Sequence, residues 1–203
     1  MGMYGHLRRV APSDVPRLRD DPRLLGAFLF GDAPAVVEER VPGLLGLFLR
    51  LMRIKVQSVA PEEPSREPLW PRAGAGETLD LDKAWHGLHF LLTGTDDGGS
   101  EPACFLLSGG EHLGDDDDVP ARLLDADQVR WFAEHLASLS TEELARRFDP
   151  DRMTQLRIYP DVIWKRPEAE DQPRGFLLGA FAGLRDFVGA AATRGDAVVV
   201  CVS

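Results

Sequence analysis

The feature that most constrains the fold is the six-residue run Ala197–Val202, which is apolar on both of its alternating faces. Valine dominates this run and favours extended backbone, and a strand that is apolar on both faces must be covered on both sides. The run is therefore predicted to be a central strand of a sheet. A long amphipathic helix is predicted before it, because apolar residues recur there at intervals of four and three, and Gly195 follows. The buried face of this helix comprises Leu177, Phe181, Leu184, Val188 and Ala191.

Residues 2–10 alternate with a period of two, which predicts a second strand at the other end of the chain. Between the two strands, helix patterns recur: Asp125 and Gln128 have the spacing of a capping box, and residues 34–54 carry a wide apolar stripe. A chain of 203 residues fits one domain. The order of strand, helices and strand predicts an α+β fold, a mostly helical single domain with a small sheet that includes the N- and C-terminal strands.

Two stretches break the helical pattern. Residues 58–77 are rich in proline, glutamate and glycine, a composition that predicts a surface loop or insertion. Residues 161–165 follow Tyr159 and Pro160 and are predicted to be extended, with Tyr159 packed so that its polar tip lies near the surface.

The clearest internal helix is predicted at 80–93, with Asp80 as its N-cap. His86 and His89 are three residues apart, a spacing that can present two imidazoles to one metal ion. A metal site needs further ligands, however, and nothing in the sequence places them nearby, so no metal site is predicted. Gly87 in the middle of the helix indicates close approach of another backbone, or simple tolerance.

The glycine-rich stretch 109–114 is predicted to be a tight turn, with anion binding by its exposed amides as the alternative. The aspartates at 115–118 lack the register of a calcium-binding loop and are predicted to form a solvated acidic loop. The turn and the 80–93 helix together carry the polar and aromatic residues of a possible ligand pocket. The candidate pocket residues are Trp85, His89, Glu111, His112 and Tyr159.

The charge of the chain limits its partners. It has 23 basic and 33 acidic side chains, a formal net charge of −10, which repels phosphate backbones and anionic lipid surfaces. We therefore expect neither nucleic-acid binding nor membrane binding, and the apolar stretch near residues 43–52 is too short to span a bilayer. The first residues carry no apolar stretch, so no signal peptide is predicted there, and Cys104 and Cys201 are predicted to be buried free thiols. These features predict a cytoplasmic protein.

Three stretches together carry a family resemblance: Met-Gly-Met-Tyr-Gly at 1–5, Leu-Asp-Lys-Ala-Trp-His-Gly-Leu-His-Phe-Leu-Leu-Thr-Gly at 81–94, and Arg-Ile-Tyr-Pro-Asp-Val-Ile-Trp at 157–164. On these stretches the chain resembles the YfbM-like family of bacterial proteins, a group classed as a domain of unknown function. The resemblance implies an α+β fold and a common architecture that includes Trp85 and His89. It implies no activity, cofactor or catalytic residue.

The function hypotheses belong to different classes. No assembled nucleophile, phosphate-binding motif or cofactor motif is present, which favours a non-enzymatic protein that binds a partner. The alternative is a small-ligand binder or enzyme that uses a pocket near Trp85, His89 and the 109–114 turn. A third, purely structural interpretation makes Trp85 a core anchor and His89 its buried hydrogen-bonding neighbour. His86 lies outside the family pattern and is predicted to contribute little.

Overall fold

The computed structural model describes residues 2–31, 69–114, 120–166 and 172–202. Within these residues the chain forms an α+β fold with five strands and seven helices. The strands are β1 Gly5–Val10, β2 Thr78–Asp82, β3 Glu111–Leu113, β4 Ala121–Leu124 and β5 Ala197–Val202. The helices are α1 Val15–Asp20, α2 Leu24–Phe30, α3 Ala84–Thr93, α4 Ala126–Ser138, α5 Thr141–Arg147, α6 Pro150–Gln155 and α7 Pro173–Arg194.

The C-terminal strand β5 is the centre of the sheet, as its sequence predicts. The strand order is β2-β1-β5-β4-β3, and each neighbouring pair is antiparallel. The N-terminal strand β1 pairs directly with β5, and Leu7 lies opposite Val200. The prediction that the small sheet includes both terminal strands is therefore confirmed.

The apolar residues of β5 serve two separate cores. Val198 and Val200 pack in a core beneath the helical layer α3–α7, whereas Val199 and Cys201 pack in a second core with α1 and α2. Because alternate residues of a strand point to opposite faces, an all-apolar strand is what a sheet covered on both sides requires. Cys104 and Cys201 are both buried free thiols, as predicted.

The long helix α7 buries the face that its sequence predicts. Its five expected core residues are each at most 1% exposed, and Gly195 ends the helix with a left-handed backbone conformation (φ 71°). Among the described residues, α7 is the one helix whose length and apolar composition would suffice to cross a membrane. Its buried side chains pack against α3 and α4.

Two local predictions are wrong. Asp80 is not a helix N-cap, because Thr78–Asp82 pairs with β1 as a strand and Lys83 is the N-cap of α3. Pairing with a strand distant in the sequence decides this segment, which local capping patterns cannot reveal. Residues 161–165 form successive turns instead of an extended segment, since Trp164 folds back and its Nε1 donates to the Ile158 carbonyl at 2.7 Å.

Other predictions fall partly or wholly on residues outside the described part of the chain. These are the helix at 34–54, the acidic loop at 115–118 and most of the loop at 58–77. The described part of that loop, 69–77, forms no helix or strand, and a turn at 75–76 precedes β2. It is not purely a surface segment, however, because Trp70 is 5% exposed and packs edge-on against Phe28 at 5.1 Å.

Candidate functional site: the aromatic cluster at the start of α3

Helix α3 is buried almost all round, and it packs against α7, α5 and strand β2. Eight of its ten residues are buried, as expected for a helix that is apolar on every side. Two glycines allow its close packing. A Cβ on Gly87 would lie 2.7 Å from a Leu177 methyl group and 2.8 Å from the Trp164 ring. The neighbours that approach Gly87 are therefore side chains, and the expected close approach of a backbone is wrong.

Trp85 organises an aromatic cluster at the start of α3. Its ring stacks on His86 with 4.8 Å between centroids and on Tyr159 with 5.8 Å. Its Nε1 donates to the Met3 carbonyl at 3.3 Å, and the Met3 amide donates to the Tyr159 hydroxyl at 3.2 Å. The second close glycine, Gly5, packs its backbone on Trp85, where a Cβ would lie 2.7 Å from the Trp85 Cβ. The cluster thus joins α3, the start of β1 and the segment before Pro160.

His86 is a polar junction between two backbone segments, although it lies outside the family pattern. Its Nδ1 accepts a hydrogen bond from the Tyr159 amide at 2.9 Å, while its Nε2 lies 2.7 Å from the Asp96 carbonyl. A carbonyl can only accept, so Nε2 carries the proton and Nδ1 does not. Burial lowers the pKa of His86, which agrees with the neutral ring that these two partners require. Sequence patterns missed this residue because both partners are backbone atoms.

His89 lies deeper and is fully buried, with 0% exposure. Neither of its ring nitrogens makes a well-formed hydrogen bond among the described residues, although the backbone of Gly98 acts on the ring and raises its pKa. Burial, followed by the proximity of His86, lowers the pKa of His89 to about 4, and the ring is neutral at pH 7. A neutral imidazole that is closed to solvent packs as part of the core.

Glu111 and His112 lie away from this cluster, on the edge strand β3. Glu111 is opposite Leu123, on the face of the sheet that α1 covers, and Arg19 of α1 binds its carboxylate through Nε and Nη2 at 2.6–3.1 Å. His112 is exposed and opposite Arg122. The structure therefore brings Trp85 and Tyr159 together, keeps His89 beneath them and places Glu111 on the other side of the sheet.

The glycine-rich turn presents carbonyls rather than amides to its main partner. The prediction of a tight turn over 109–114 is wrong for residues 111–113, which pair with β4 as strand β3. The backbone turns just before that strand, at Gly109 and Gly110, which both have φ of 76°. The buried Arg122 donates to the carbonyls of Gly109 at 2.8 Å, Leu106 at 2.7 Å and Phe105 at 3.3 Å. The turn is thus held by a protein cation. In the described residues, no group of three or more His, Cys, Asp or Glu side chains is arranged to hold a metal ion.

Comparison with known proteins gives the chain its family. The family described as "Domain of unknown function (DUF1877)" matches residues 1–201. The chain belongs to this family. Protein YfbM of Escherichia coli strain K12 is 29% identical over 135 residues, which cover 64% of this chain and 80% of YfbM.

The fold of this DUF1877 protein is also found in a solved structure. The crystal structure of YfbM from Escherichia coli, a protein of unknown function, matches it with a TM-score of 0.62 at 18% sequence identity. The match covers 98% of this chain and 99% of that one. At this identity the likeness establishes the fold alone, and the YfbM-like resemblance of the sequence is confirmed at the level of family and architecture.

Proposed function

We propose that this DUF1877 protein is a non-enzymatic binding protein that recognises a basic segment of a protein partner. The recognition surface is formed by Met3, Tyr4 and Tyr159, which we call the tyrosine surface. The observation that carries the proposal is that Met3 and Tyr4 remain 43% and 39% exposed on a framework of buried aromatic contacts. Exposed aromatic and Met side chains on a rigid support are characteristic of binding surfaces.

The tyrosine surface is held in place from beneath. Both backbone polar groups of Met3 are engaged, one by Tyr159 and one by Trp85. A Cβ on Gly2 would lie 3.3 Å from Tyr4 and 3.4 Å from the Tyr159 hydroxyl, so the two tyrosines flank Gly2. A surface that is ordered before binding loses less conformational entropy when a partner docks, which increases affinity.

Charge specifies the chemistry of the partner. Asp80 and Asp82 lie on β2, which pairs with β1 just after Tyr4, and Asp80 also lies 3.7 Å from His6. Asp96 and Asp97 lie in the turn after α3, where the Asp96 carbonyl contacts His86. Lys83 is the cation that follows Asp82, and its Nζ lies 5.8 Å from the centre of the Tyr4 ring. Acidic elements next to a tyrosine-bearing surface favour lysine and arginine side chains, through charge attraction and through cation–π contact with the rings. The net charge of −10 also attracts a basic partner at longer range, before the two proteins touch.

The state of the nearby reactive groups supports binding over catalysis. His86 uses both ring nitrogens for backbone contacts, and His89 is fully buried. The Glu111 carboxylate is engaged by Arg19 on the other side of the sheet. General acid–base catalysis needs a side chain that can reach substrate with a free proton site, and these three groups are committed elsewhere.

The test is affinity capture from the native host with two matched double variants. Met3→Ser with Tyr4→Ser removes the tyrosine surface, whereas Trp131→Ser with Phe176→Ser removes two side chains of similar exposure elsewhere. We expect a basic protein that the parent and the control variant retain at physiological salt, that the surface variant loses, and that raised salt releases. Capture that is equal for both variants, or no retained partner, would contradict the proposal.

A further inference from the structure

A second feature lies at the far end of β1, where the strand leaves the sheet. A cavity of about 470 Å³ opens there between the end of β1, the segment 70–77 and the end of α7. This volume falls within the range of small-molecule sites, roughly 300–1,000 Å³. Four arginines line this cavity, Arg8, Arg9, Arg72 and Arg194, and we call it the arginine cavity.

Arg8 is buried, with 5% exposure, and has no carboxylate partner within 4.0 Å in the described part of the chain. Its Nη1 donates to the Phe28 carbonyl and its Nη2 to the Pro71 carbonyl at 2.9 Å. Its Nε has no partner there. Burial lowers the pKa of Arg8, with Glu77 acting in the opposite direction, so the environment opposes its positive charge. The guanidinium also lies 4.3 Å from the centre of the Phe28 ring, but a buried guanidinium with an unused donor and no carboxylate in direct contact remains costly, and an additional anion would offset that cost.

Arg9 repeats this pattern beside the same cavity. Its side chain is 7% exposed, its Nη1 lies 3.8 Å from an Asp196 carboxylate oxygen, and its Nε also lacks a partner among the described residues. Arg72 and Arg194 are exposed and take part in no ion pair within the described ranges. Four guanidinium groups face three carboxylates in the lining, an excess of positive charge within an acidic protein.

We infer that the arginine cavity binds a small organic anion. Its acidic group, a carboxylate or a phosphate, pairs with the guanidinium groups that line the cavity, and its apolar part lies against Trp70 and Pro71. Arginine is suited to this role because its planar donors match the oxygens of both acids and its charge persists at all physiological pH values. The inference is independent of the tyrosine surface, which involves none of the residues that line the arginine cavity.

The test observes the arginine donors directly by NMR of the Nε–Hε groups, at constant ionic strength set by sodium chloride. The probes are phenyl phosphate, benzoate and inorganic phosphate. Phenyl phosphate and benzoate compare the two acidic groups, and inorganic phosphate shows what the apolar ring contributes to binding. We expect a saturable shift of the Arg8 and Arg9 resonances with phenyl phosphate, benzoate or both. The Nε–Hε of Arg19, already bound to Glu111, should stay unchanged.

Substitutions at two exposed arginines test the site without disturbing the buried core. Arg72→Gln and Arg194→Gln remove charge at the mouth of the arginine cavity, and we expect each to weaken binding roughly tenfold, as for loss of a charge-assisted contact. Arg130→Gln removes an exposed arginine on α4 and should leave binding unchanged. The inference is overturned if Arg8 and Arg9 show no saturable shift with any probe up to about 10 mM, above the Kd of a weak ligand. Equal weakening by Arg130→Gln overturns it as well.

Discussion

The amide of Tyr159 donates a hydrogen bond to Nδ1 of His86 at 2.9 Å, and this bond fixes the position of the tyrosine surface. Because Nε2 of the same ring donates to the Asp96 carbonyl at 2.7 Å, one neutral histidine joins the turn after α3 to the segment before Pro160. Trp85 stacks on both rings. The surface that we propose for binding therefore depends on a polar contact beneath it.

His86→Leu should destabilise the fold by about 2 kcal/mol, because it leaves a part-buried N–H and a carbonyl without their partner. Urea denaturation of the parent and the variant gives the free energy of unfolding. His112→Leu changes an exposed histidine on β3 and serves as the control, with an expected effect below about 0.5 kcal/mol. Equal stability of the His86 variant and the parent would show that the junction adds nothing.

Trp85→Ala should cost about 3–5 kcal/mol, as for removal of a large core side chain. Trp85 is 6% exposed, whereas Trp131 is 46% exposed. Trp131→Ala is therefore the matched control, with an expected cost below about 1 kcal/mol. Thermal or urea unfolding measures the stability of both variants. A Trp85 variant that melts like the parent would show that Trp85 does not anchor the core.

Gly87→Ala and Gly179→Ala should change stability in opposite directions. The added Cβ at Gly87 meets Leu177 and Trp164 at less than 3.0 Å, whereas the one at Gly179 meets no atom within 4 Å. We expect a loss of about 1–3 kcal/mol for the first from overpacking and a gain of about 0.5–1 kcal/mol for the second from helix propensity. The same sign for both variants, measured by urea denaturation, would contradict the packing described for α3.

His89 should make stability depend on pH. Its pKa is lowered from 6.5 to about 4 in the folded protein, so the unfolded chain takes up the proton first as pH falls. The stabilising contribution is complete above about pH 6.5 and is lost towards pH 4, by about 3 kcal/mol in all. His89→Leu should therefore show a shallower loss of stability than the parent over this range. If the free energy of unfolding of both proteins fell equally with pH, a group other than His89 would be responsible for the loss.

The sequence predicts those parts of the fold whose pattern is local and repeated. The buried face of α7 and the apolar strand β5 can be recognised from the sequence, because the spacing of their own apolar residues indicates helix and buried strand without reference to distant residues. The local pattern predicts Asp80 as a helix cap, whereas pairing of β2 with β1 makes it a strand residue. Local signals are weakest where a distant strand supplies the hydrogen bonds.

The candidate site could be predicted only in part. Trp85 and Tyr159 meet in the structure, whereas Glu111, chosen by residue type, lies across the sheet. The contacts of His86 and the burial of Arg8 depend on backbone atoms far along the chain, and side-chain identity carries no signal of them. An arginine in a strand is ordinarily expected to face solvent, so the arginine cavity was not foreseeable from the sequence.

The most direct measurement of the central claim is photo-crosslinking in the native host, with a photoreactive phenylalanine analogue at one position at a time. Tyr4 and Phe176 are 39% and 38% exposed, so the analogue has similar access to solvent at both positions. We predict that the analogue at Tyr4 forms an adduct with a basic protein and that the analogue at Phe176 does not. No adduct at Tyr4, or the same adducts at both positions, would contradict the claim that the tyrosine surface binds a partner.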